Sequence, residues 1–132
     1  MDKKIALNES MPDGHIIVKK PWGKEDWYAA VPKKYLGKVL YIEPGQRTSL
    51  HYHEKKDETL YVWSGRLVYR YIDEKGKEQE CACGFNDRLR VKPGVKHSLG
   101  AAHQRVILFE VSTYYPKDSV RVKDYYGRET DG

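Results

Sequence analysis

Long apolar runs are missing from this chain. No stretch of its 132 residues approaches the roughly eighteen consecutive apolar residues that a bilayer-spanning helix needs. The amino terminus, MDKKIALNESMPDGH, has no apolar centre of the kind a secretory leader carries. A soluble, cytoplasmic protein with no membrane partner is therefore expected. Cysteine is scarce: Cys81 and Cys83 are the only two, spaced i, i+2 in ECACGF, where neighbours on a strand rarely meet disulfide geometry. Without a second cysteine pair they make a poor zinc site, and reduced thiols on a strand are expected. Runs of one charge are also missing. The net charge of +5 is spread from Lys3 to Arg128 with no block of basic residues, which argues against an arm built for nucleic acid. A helical apolar stripe of three turns is found nowhere, although Glu54 to Thr59 and Lys117 to Lys123 have room for a single turn.

What is present is a series of short runs rich in Val, Ile, Tyr and Leu. They are Ile16 to Val18, Trp27 to Val31, Val39 to Ile42, Thr48 to His53, Leu60 to Trp63, Leu67 to Ile72, Glu78 to Cys83, Leu89 to Val91, His97 to Leu99 and Arg105 to Val111. Turn signals such as Pro44-Gly45, Ser64-Gly65 and Pro93-Gly94 separate them. The pattern is all-β, and a chain of this length with short strands closes most naturally as a barrel or double-sheet jelly roll around one core. Residues 1–13 and 129–132 are expected to be flexible ends around a single domain over 14–128.

Chemistry concentrates in PGQRTSLHYHEKKDETLYVWSG, Pro44 to Gly65. His51 and His53, at i, i+2 on a strand, project to one face. Glu58 opens the next strand, where an antiparallel return can bring its carboxylate beside them. Imidazole and carboxylate together suit one divalent transition metal among Zn, Mn, Fe, Ni and Co, and a fourth ligand is then needed from later in the chain. His97 in VKPGVKHSL is the candidate. His15 and His103 remain unassigned.

Gly45, five residues, His51, one residue, His53, four residues, Glu58, six residues and Gly65 reproduce the first motif of the cupin family, and His97 matches the histidine of the second. In that second motif Pro93 directly precedes Gly94, and Lys92 stands where the family usually has proline. Further segments are similar to the isomerase domain of type II mannose-6-phosphate isomerases. Lys20-Pro21-Trp22-Gly23 resembles its opening segment. Asp118-Ser119-Val120-Arg121 and Asp124-Tyr125-Tyr126-Gly127-Arg128 resemble its close. Two positions depart from it: His51 stands where a glutamine is common, and Thr59 where a histidine is common.

The resemblance implies a single-domain cupin barrel in carbohydrate metabolism, a homodimer, and aldose–ketose isomerisation of a small-molecule substrate, a sugar phosphate such as mannose 6-phosphate. It implies metal ligation by His51, His53, Glu58 and His97. It also implies a phosphate contact from Arg128 and, secondarily, Lys38. The general base is left open between Glu58 and Glu110. A metal-dependent dioxygenase or other redox enzyme, and a non-catalytic sugar-binding cupin, are the alternatives, because one fold hosts many chemistries. Trp22, Trp27, Trp63, Tyr114 and Tyr126 have the rings to stack on a sugar, though such residues more often fill cores and contacts.

Overall fold

The computed structural model describes residues 16–127. Eleven strands follow one another: β1 (Ile16–Lys20), β2 (Gly23–Val31), β3 (Tyr35–Ile42), β4 (Leu50–His53), β5 (Glu58–Ser64), β6 (Leu67–Ile72), β7 (Glu78–Cys83), β8 (Arg88–Val91), β9 (His97–Ala101), β10 (Val106–Ser112) and β11 (Ser119–Lys123). They form a six-stranded sheet in the order β1-β2-β3-β10-β5-β8 and a five-stranded sheet in the order β11-β4-β9-β6-β7. Among the described residues every strand pairing is antiparallel. The all-β expectation holds, and each expected strand is present.

Two expectations need correction. Lys117 to Lys123 holds no helical turn but a strand, β11, because Ser119, Val120 and Arg121 pair with His53, Tyr52 and His51 of β4. Glu58 does open β5, yet β5 does not pair with β4. It lies in the other sheet, between β10 and β8, so its carboxylate reaches the histidines across the barrel interior. The expected flexible ends and Arg128 lie outside the described residues.

Strand alternation divides the interior into layers. The inward row of β3 reads Leu36, Lys38, Leu40, Ile42; that of β10 reads Val106, Leu108, Glu110, Ser112; that of β5 reads Glu58, Leu60, Val62. All of them are buried. Register aligns these rows. Ile42 meets Val106 and Leu40 meets Leu108, giving an apolar layer, whereas Lys38 meets Glu110 and Glu58 meets Ser112, giving a polar one. The facing sheet repeats the division, with Leu67 opposite Ala101, Tyr69 opposite Leu99, and His97 opposite both Tyr71 and His51.

The main core joins Trp22, Leu40, Ile42, Leu60, Val62, Leu67, Leu99, Val106 and Leu108. A small second cluster of Ala30 and Leu36 lies under Ile16, Trp27 and Tyr114. Trp22 is therefore a core residue, whereas Trp63 stands exposed on the outer face. The turn after β5 needs glycine. Gly65 has φ of +82°, and a Cβ there would run into the carbonyl of Arg105.

Candidate metal centre

The polar layer brings together three of the histidines. A ring nitrogen from each of His51, His53 and His97 lies within 4.8 Å of the others, and the ring centroids of His51 and His97 are 4.4 Å apart. The turn before His97 contributes to this. Gly94 takes φ of +85°, and its N–H donates to the carbonyl of His53 at 2.7 Å, so the Pro93-Gly94 departure still delivers His97 beside β4.

Each imidazole is oriented from behind. His51 Nδ1 lies 2.8 Å from the carbonyl of Ser49, His97 Nδ1 lies 2.9 Å from the carbonyl of Val95, and His53 Nδ1 lies 3.1 Å from Asp118 Oδ1. Carbonyl and carboxylate oxygens only accept, so Nδ1 carries the proton in each ring and the Nε2 lone pair is left for the interior. Glu58 faces those lone pairs, with Oε1 3.7 Å from His97 Nε2 and Oε2 3.7 Å from His53 Nε2. His103, by contrast, sits in an exposed loop away from the cluster.

Electrostatics suit a cation. Burial first, then the neighbouring His97, holds His51 well below the ordinary histidine range; burial also brings His53 down to about 4 against the pull of Glu58. Both rings are thus neutral near pH 7, the form that ligates metal. Burial alone would push Glu58 up, but the Lys56 ammonium and then His97 outweigh it and hold the carboxyl well below its usual range. Three inward imidazole lone pairs beside one carboxylate form a donor set that fits a divalent transition metal.

Two residues at the site have no role that the sequence reading assigned. Lys56 is only 3% exposed, with its Nζ 3.0 Å from Glu58 Oε2 and 2.6 Å from Glu110 Oε2. Burial would lower its pKa, but Glu110 and then Glu58 more than reverse this and raise it. Asp118 is the other: besides holding His53, its Oδ2 accepts the backbone N–H groups of Lys55 at 2.8 Å and Lys56 at 2.9 Å. The run EKKDE does not distinguish Lys56 from Lys55, and Asp118 is distant from His53 in sequence.

Lys38 lines the same cavity. It is a buried lysine, with its Nζ 3.1 Å from Glu25 Oε1 and 4.6 Å from the centroid of the Trp27 ring. Arg121, opposite His51 in register, and Lys20, Tyr115 and Pro116 also border the cavity, whose volume is about 70 Å³. Tyr126 does not face it as a sugar platform. It packs against the main core and donates its hydroxyl to Gln46 Oε1 at 2.7 Å.

Fold and site define a two-sheet antiparallel barrel with a three-histidine cluster in its polar layer. The family model for the cupin domain matches residues 38–112, and the chain belongs to the cupin family. No match is found among curated proteins. Among solved structures, the capsular polysaccharide assembling protein CapF from Staphylococcus aureus is similar at 17% identity and a TM-score of 0.73, over 89% of this chain and 34% of that one. Oxalate decarboxylase from Bacillus subtilis is similar at 18% and 0.73, over 83% and 30%. The formate complex of Lactobacillus farciminis oxalate decarboxylase matches at 16% and 0.71, over 83% and 34%. The chain thus spans about a third of the length of each, and the likeness establishes the fold.

Proposed function

We propose that this cupin is a metal-dependent aldose–ketose isomerase acting on a sugar phosphate, of the mannose-6-phosphate isomerase type. The observation that carries the reading is Glu110. Buried at 3% exposure, it lies on the inward row of β10 in the layer of Glu58 and Lys38, and supplies the carboxylate base that such a reaction needs besides the ligands. His51, His53, His97 and Glu58 would hold the metal, which supplies Lewis-acid polarisation of a sugar oxygen. Glu110 takes the proton from one carbon of the C1–C2 pair and returns it to the other. Lys56 fixes the Glu110 carboxylate from behind. Burial of the layer keeps bulk water from exchanging that proton.

A cavity of about 70 Å³ admits the reacting end of a hexose, so the phosphorylated end lies across the mouth near Lys20 and Arg121. Lys38, beside Glu25, is a weaker phosphate donor, and Arg128 is assigned that role by the family resemblance of DYYGR alone. The homodimer expected from the resemblance belongs to the same proposal.

The test is proton NMR of mannose 6-phosphate and fructose 6-phosphate in D2O with metal-loaded protein. Interconversion with little deuterium entering at C1 or C2, abolished by chelation, is the expected result. Glu110→Gln should lower kcat by about 10²- to 10⁴-fold at unchanged metal content. Metal-loaded protein that turns over no sugar phosphate overturns the reading, and oxygen consumption with an organic substrate would replace it with the redox alternative.

A further inference from the structure

The five-stranded sheet has a second face. Leu50 and Ser98 are the immediate neighbours of His51 and His97 on β4 and β9, so alternation turns them away from the metal centre. Behind them lies a cavity of about 200 Å³ bordered by Arg47, Arg70, Ser98, Lys123, Tyr125 and, on the edge strand β7, Glu78.

Arg47 is built into this cavity. Its backbone bridges to Gly100, where a Cβ would stand 3.4 Å from the arginine's own, and its N–H donates to the Tyr126 hydroxyl at 3.3 Å. The guanidinium lies 3.5 Å from the centroid of the Tyr125 ring, and Lys123 Nζ lies 5.3 Å from the same ring. Two cations thus converge on one aromatic side chain. Among the described residues neither makes an ion pair, whereas the third cation, Arg70, is engaged by Glu80 at 3.0 Å. Both side chains border the same cavity, one of them rigid by stacking, and together they offer an anion a planar fork and a point charge.

We infer that Arg47, Lys123 and Tyr125 form a binding site for a small phosphate ester on the reverse face of the strands that carry the histidine cluster. Phosphate fits because it offers several oxygens to a planar fork and a point charge at once. At about 200 Å³ the cavity has room for the phosphate and a short organic group, and it is smaller than the roughly 300–1,000 Å³ of ordinary ligand pockets, which favours a small ester. Glu78 at the far edge disfavours a ligand anionic at both ends.

The experiment is a titration of the full chain with inorganic phosphate and, separately, glycerol phosphate, followed by ¹H–¹⁵N NMR. Saturable shifts at Arg47, Ser98, Lys123 and Tyr125 are expected. Arg47→Gln and Lys123→Gln should each weaken binding by about ten- to hundredfold. Lys75→Gln, in an exposed turn, should leave it unchanged. Saturable shifts confined to the histidine cavity, an unsaturated response that marks an adventitious ion only, or equal affinity in Lys123→Gln would each overturn the site. Because the readout is binding on the reverse face, loss of isomerase activity has no bearing on it.

Discussion

Metal-free Lys56→Met is expected to melt roughly 10–20 °C below the metal-free native chain at pH 7. The wild-type ammonium touches Glu58 and Glu110, and all three side chains are at most 4% exposed. Removing it leaves two carboxylates in one buried layer without a counter-charge, and breaking such a buried arrangement costs about 3–5 kcal/mol. For a chain of this size that corresponds to the stated shift. The sign of the pH dependence follows. Without Lys56, burial and mutual repulsion raise the carboxyl pKa values above their unfolded values, so the variant regains stability as pH falls and loses it as pH rises through them. The gap to wild type should therefore narrow toward pH 4, and Lys56→Met/Glu110→Gln should recover most of the loss at pH 7. A melting temperature within 2 °C or so of wild type at pH 7 would show that the ammonium does not hold the layer together.

Asp118→Ala is expected to weaken metal binding by about 10- to 100-fold, the usual effect of removing a carboxylate that orients a ligating histidine. One carboxylate here does two things: Oδ1 fixes the His53 ring, and Oδ2 closes the turn that carries Lys56 into the barrel. Competition titration with a chromogenic chelator measures the affinity, and far-UV circular dichroism checks the strands. Unchanged affinity in a folded variant would mean that His53 is held by its backbone alone.

These two residues also mark where sequence reading stops. His51 and His53 were legible because strand alternation converts their spacing directly into a shared face, and Glu58 and His97 because they fall at the positions of the cupin motifs that the chain resembles. The layering of the interior was legible in part: Leu36, Lys38, Leu40 and Ile42 alternate visibly, but only register shows that Lys38 lies opposite Glu110. β11 was not legible. Ser-Val-Arg-Val-Lys carries two apolar residues and follows a Pro-Lys-Asp turn signal, and its strand character comes from pairing with β4. Lys56 sits in a run of charges that reads as a solvated turn, and the buried carboxylates that draw it inward lie on β5 and β10. Glu58 faces the histidines by another route than its spacing suggests, since adjacency in sequence points to a hairpin partner where the chain crosses to the other sheet.

The most direct test is metal content. The purified full chain, loaded with an excess of each of Zn, Mn, Fe, Ni and Co in turn and then desalted, is analysed by plasma mass spectrometry beside His51→Ala, His53→Ala and His97→Ala. At least one of these ions should remain at about one per wild-type chain and be removed by a strong chelator, with near-complete loss in His53→Ala and His97→Ala while their strand signal persists. A wild-type chain that retains none of the five ions, or folded histidine variants that retain the ion as fully as wild type, would contradict a metal centre at this cluster.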